Sequence, residues 1–75
     1  MNKQRRNEIS NIMTELENLK SRLESVHMEE EMVFDNMPEN LQYSMRGEES
    51  QEAIDCMSEA ISNLEEAIDQ LSEIN

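Results

Sequence analysis

The C-terminal third of the chain repeats every seven residues. Ala53-Ile54-Asp55-Cys56-Met57-Ser58-Glu59 is followed by Ala60-Ile61-Ser62-Asn63-Leu64-Glu65-Glu66 and by Ala67-Ile68-Asp69-Gln70-Leu71-Ser72-Glu73. Seven residues make nearly two turns of α-helix, so each residue class in the repeat draws a stripe along one rod. Ile54, Met57, Ile61, Leu64, Ile68 and Leu71 alternate steps of three and four, the seam of a coiled coil or slender bundle. Ala53, Ala60 and Ala67 run beside that seam, and acids fill the back. A strand, whose side chains alternate with a period of two, does not accommodate this pattern.

The first half carries a matching seam. Ile9, Ile12, Leu16, Leu19, Leu23 and Val26 step in the same way, with Val33 one heptad further on. Between the seams lies Asp35-Asn36-Met37-Pro38-Glu39-Asn40. Pro38 has no amide hydrogen and biases Met37 away from helical geometry, so the first helix is expected to stop near Phe34 or Asp35. Ser44 is the preferred cap of the second helix over Ser50, and Pro38 suits the first position of a short intervening turn. Folding the chain near Leu41 sets Ile9 by Ile74, Leu16 by Ile68 and Val26 by Met57. The reading is therefore all-α: one domain, 1–75, an antiparallel helical hairpin with helix 1 at about 3–34, a turn at about 35–45 and helix 2 at about 46–74.

At 75 residues a single core is marginal, and assembly often supplies what it lacks. A two-helix seam covers only one side of each core residue. Ala53, Ala60 and Ala67 permit close approach of another helix, and Met13 and Phe34 lie off the expected seam. A second copy packing there, giving a homodimeric four-helix bundle, is the expected assembly.

Charge narrows the partners. Asp and Glu number 18 against 6 Lys and Arg, a net −12, and from Glu48 onward there are nine acids and no base. Direct binding to DNA, RNA or an anionic membrane needs a basic face that is missing. The acids either simply solvate the surface or complement a protein partner with a basic surface. High charge and low mean hydropathy (−0.83) also mark disordered chains, but here the apolar residues sit at helical spacing. No apolar run approaches a membrane span or a signal core, and Cys56 is the lone cysteine; the expectation is a cytoplasmic protein.

Chemistry has little to attach to. Glu24-Ser25-Val26-His27 matches the Glu-x-x-His pattern of bundle metal centres, but with Leu23 and Val26 in the seam Glu24 faces out and His27 lies on a flank. Together with Glu31 they offer at most a weak surface site. Gly47 is the only glycine, too few for a phosphate-cradling loop, and no nucleophile–base pairing stands out. No catalytic, cofactor or metal residue is expected, and the chain reads as a non-enzyme. Met28, Met32, Phe34, Met37, Leu41, Tyr43 and Met45 crowd the turn. They either plug the end of the hairpin or, through Phe34, Met37, Leu41, Tyr43 and Met45, dock a partner on a flexible, polarizable surface. Glu48, Glu52, Asp55, Glu59, Glu66, Asp69 and Glu73 form a long anionic face. That face suggests an alternative, a mimic of nucleic acid that inhibits a DNA- or RNA-binding protein.

The stretch Phe34-Asp35-Asn36-Met37-Pro38-Glu39-Asn40-Leu41-Gln42, then Ser44, Arg46-Gly47-Glu48 and the Ala-Ile-Asp heptads, resembles a group of short, acidic, uncharacterised helical-hairpin proteins of Gram-positive bacteria and their phages. The resemblance implies an accessory role on a mobile element, binding and modulating a protein partner. It implies no catalytic residues.

Helix 2 contains Arg46 as its only base against a run of acids, and like charges one turn apart each cost a few tenths of a kcal/mol. Screening that repulsion is expected to raise helicity and the melting temperature on adding salt, as is mild acidification. Circular dichroism melts across a salt series test this; a melting temperature that fell with salt would contradict it.

Overall fold

A computed structural model describes all residues 1–75. Helix accounts for 87% of the chain and there are no strands. The elements are α1, Lys3–Asp35; α2, Glu39–Gln42; and α3, Met45–Ser72. α1 contains neither Gly nor Pro, and its start is capped by Asn2, whose Oδ1 accepts from the Arg5 amide at 2.9 Å. It ends at Asp35, where the Asn36 amide turns back to the carbonyls of Met32 and Phe34. Pro38, extended at φ −56° and ψ 146°, leads into the single turn of α2. Ser44 caps α3, its Oγ accepting from Gly47 N at 3.5 Å while donating to the Leu41 carbonyl.

α3 packs along α1 in the opposite direction. Asn75 Nδ2 reaches the Arg6 carbonyl and Ser10 Oγ at one end, Lys20 meets Glu65 in the middle, and Ser50 meets Glu30 near the turn. The product is a rod of 58 × 14 × 13 Å, with a radius of gyration of 17.1 Å. A compact chain of this length would have a radius of gyration of about 11 Å. Two helices leave little interior, and Ile54, at 9% exposure, is the only buried apolar residue.

The seam of α1 differs from the expected one. Ile9, Leu16 and Leu23 face α3, but their companions are Met13, Lys20, His27 and Phe34, all half-buried. Ile12, Leu19 and Val26 are exposed instead, as is Val33. Met13 and Phe34 are thus seam residues, and His27 points inward rather than onto a flank. The physical reason is side-chain size and reach. Phe34 and Met13 fill the groove at its ends, while Lys20 lays its methylene stem along the seam and carries its ammonium to Glu65. His27 sets Nδ1 2.8 Å from Glu31 Oε1.

Gly47 is buried in the first turns of α3 and has no positive φ, so its conformational freedom is not used. What matters is its missing side chain. A Cβ there would run into the backbone carbonyls of Leu41 and Gln42, at the end of α2. Replacing Gly47 by Ala gains about 1 kcal/mol of helix propensity but forces backbone apart, at a cost of about 2–3 kcal/mol, so a net loss of about 1–2 kcal/mol is expected. Urea unfolding followed by circular dichroism measures this; a Gly47→Ala chain as stable as the parent would show that α2 can shift freely.

Candidate interaction surfaces

Three surfaces emerge from this rod: the turn end, the acidic back of α3, and one long side of the helix pair. The turn cluster divides in two. Phe34 and Met37 are half-buried, and Gln42 ties α2 to α1 by donating from Nε2 to the Phe34 carbonyl at 3.0 Å. Tyr43 and Met45 stand outside this plug, 79% and 75% exposed, with Leu41 at its rim and Met28 and Met32 open on α1. A hollow of about 280 Å³, lined by Val33, Asn36, Met37, Pro38, Leu41 and Arg46, opens beside the turn. The five expected docking residues therefore all lie between Phe34 and Met45 but are unequal in access.

The acids Glu48, Glu52, Asp55, Glu59, Glu66, Asp69 and Glu73 are all exposed, and Gln51 Nε2 donates to Asp55 Oδ1 at 2.9 Å. Glu65 is held apart from them by Lys20, whose Nζ lies 3.0 Å from its Oε1. The hydrogen bond to Glu65 raises the Lys20 pKa above its ordinary 10.5. Partial burial opposes the shift, and the charges of Glu65, Glu24 and Asp69 reinforce it. Lys20, Glu65, Glu17, Ile68 and Asp69 line a shallow hollow of about 310 Å³ on one long side of the pair.

The opposite long side is apolar. Ile12, Leu19, Val26 and Val33, one per heptad, form an aliphatic column on α1 that is 40%, 49%, 52% and 53% exposed. On α3, Ala53, Ala60 and Ala67 continue the column begun by Arg46; Ala53 is exposed and the other two are half-buried. At about 100° per residue on antiparallel helices, both columns fall away from the Lys20–Glu65 bridge. Val33 and Arg46, the turn-end members of the two columns, line one hollow, which sets the columns on a common side. Beyond the alanines comes the column of Glu49, Cys56, Asn63 and Gln70, all exposed and, Glu49 apart, uncharged.

The aliphatic column was missed as a surface because its members also fit a seam; the signal available was that α1 has three apolar-containing columns where one partner helix covers two. Ser50, a candidate cap by sequence, has another role in the fold. It is buried, and its Oγ donates to Glu30 Oε1 at 2.7 Å, pinning the turn end of the pair with a charge-assisted bond. Gly47 was read only for phosphate binding. Glu24 is exposed and His27 pairs with Glu31; no group of three or more His, Cys, Asp or Glu is gathered to hold a metal ion. Cys56 is free and exposed, and no helix is long and apolar enough to cross a membrane.

No family model, curated protein or solved structure matches the chain.

Because the Lys20 pKa is raised on folding, the stability it contributes is fully present below its unfolded value of 10.5 and is lost as pH rises through the higher folded value. Lys20→Gln is therefore expected to lower the melting temperature throughout the neutral range, with the gap to the parent closing only at pH well beyond 10.5. Paired thermal melts against pH check this; a gap that closed between pH 5 and 8 would assign it to another group.

Proposed function

We propose that the chain is a non-enzymatic, acidic interaction module: a helical hairpin that joins a second copy in a four-helix bundle, with Ala53, Ala60 and Ala67 on its dimer flank, and that binds and modulates a protein partner. Its setting is a phage or another mobile element of Gram-positive bacteria, as an accessory protein. The observation that carries the reading is the division of the turn cluster. Phe34 and Met37 already close the end of the helix pair, so Tyr43 and Met45, at 79% and 75% exposure, are not needed for the plug. An aromatic ring and a thioether held in water on a capped, rigid turn are the anchors that protein recognition uses. Binding rather than catalysis is further supported by the openness of the hollows and by His27, whose Nδ1 is engaged by Glu31 rather than by a hydroxyl or thiol.

A second reading is favoured by the acidic face. Seven exposed carboxylates from Glu48 to Glu73 along one helix can occupy a basic groove as phosphates would, making the protein a nucleic-acid mimic that inhibits a DNA- or RNA-binding protein.

One experiment separates the two. Immobilised protein and its Tyr43→Ala, Met45→Ala variant are used to capture partners from phage-infected Gram-positive cells, and bound protein is identified by mass spectrometry. Turn docking is expected to lose its partner in the variant while helicity is unchanged and to tolerate salt. Mimicry is expected to keep the partner in the variant, to weaken steeply with salt and to be displaced by duplex DNA. Capture that is unaffected by the variant, by salt and by DNA contradicts both.

A further inference from the structure

The aliphatic column and the alanine column meet requirements that a particular partner supplies. The chain exposes 5825 Å². A folded monomer of 8.8 kDa is expected to expose about 4,800 Å², so the rod carries an excess of about 1,000 Å². A standard interface buries about 800 Å² per partner, so one interface along one side accounts for that excess. The side in question is the apolar one. Four aliphatic residues at heptad spacing are 40–53% exposed there, while the seam of the same helix contains Lys20 and His27. Four aliphatics in one column make a continuous apolar stripe of the kind that marks a contact surface.

Charge selects the occupant. The chain has a net charge of −12, so a second copy is repelled wherever acids face each other. On α3 the acids Glu52, Asp55, Glu59, Glu65, Glu66 and Asp69 fall outside the heptad columns of Ala53, Ala60 and Ala67 and of Cys56, Asn63 and Gln70, and only Glu49 shares the second of these columns. Glu49 on α3 and Glu8, Glu15 and Glu29 on α1 border these columns, so this is the side on which the fewest carboxylates face a second copy rather than one free of them.

Resting on the reading of the chain as a self-associating hairpin, we infer that this side takes a second copy stacked about a two-fold axis parallel to the rods, so that the aliphatic column of each copy lies over the alanine column of the other. Size complementarity fixes this choice. The Lys20–Glu65 contact sets Leu19 level with the interval between Ala60 and Ala67, where a partner's leucine fits as a knob between two small residues. Turning the second copy end for end would set bulky column on bulky column and α3 against α3. The chain's most acidic element would then face itself. With the parallel axis α3 faces the partner's α1, whose first residues include Lys3, Arg5 and Arg6 beside the acidic end of α3.

Sedimentation equilibrium of the full chain tests the assembly, and cysteine pairing tests the face. The parent is expected to weigh twice 8.8 kDa. Leu19→Glu with Val26→Glu is expected to weaken dimerisation by at least about 100-fold, since each buried charge costs several kcal/mol. Met28→Glu, away from the columns, is expected to leave the dimer intact. In a Cys56→Ser background, mixed Leu19→Cys and Ala60→Cys chains are expected to form the 19–60 disulfide between copies on mild oxidation, a readout that stands even if the glutamate variant unfolds. A parent that stays monomeric at millimolar concentration overturns self-association itself. A dimer that resists the glutamates, or that gives 19–19 but no 19–60 disulfide, overturns this face or this axis while self-association stands.

Discussion

The structure depends on a mismatch of widths. α1 presents three neighbouring columns that contain apolar residues, and α3 is wide enough to cover two. The helix pair satisfies the columns of Ile9, Leu16 and Leu23 and of Met13, Lys20, His27 and Phe34, and leaves Ile12, Leu19, Val26 and Val33 outside. With only Ile54 buried among the apolar residues, the pair has almost no interior of its own. Hydrophobic stabilisation scales with apolar area removed from water, so a rod this thin is short of its main driving force.

The turn works against that weakness. Gly47 allows the end of α2 to lie directly against α3, Ser44 bonds to both elements, and Gln42 reaches back to the Phe34 carbonyl. Ser50 and Glu30 add a charge-assisted bond a turn further along. Backbone contact and directional bonds fix the register at this end, where hydrophobic burial alone would let two uniform seams slide by a heptad. The Lys20–Glu65 bridge repeats the check midway. Polar residues in the seam thus add directional contacts that a uniform apolar seam lacks.

Much of this was legible in the sequence, and the reasons for the remainder are specific. All-helical class followed from heptad spacing, and the break near Pro38 followed from its fixed φ and missing amide hydrogen. Which two of the three α1 columns face α3 did not, because hydropathy ranks Leu19 and Val26 above Lys20 and His27 for burial. The outcome depends on the length of the lysine stem and the bulk of Phe34, which a periodicity count does not register. Gly47 was equally opaque, since a lone glycine in a helix looks like a propensity defect until the α2 carbonyls above it are located. The turn cluster was legible as a cluster but not as a division, because Phe34 and Tyr43 differ in position on the turn rather than in chemical type.

The inferred two-fold axis connects these features to the proposed function. An axis parallel to the rods brings both turns to the same pole, so two sets of Tyr43 and Met45 point the same way, separated by about the width of a helix pair. The other pole gathers Lys3, Arg5 and Arg6 from both copies beside the C-terminal acids. Such a dimer is polar: one end is apolar and bivalent, the shaft is anionic, and the opposite end is mixed in charge. Two anchors on a rigid pole raise the effective concentration of the second contact once the first is made, and avidity can exceed single-site affinity by about 100-fold or more. A small module with only two exposed anchor residues per copy can then bind usefully, provided its partner is itself symmetric or repeats its docking site. The same anionic shaft repels nucleic acid and other acidic proteins, so a partner of the proposed kind would need a neutral or basic surface near the turn.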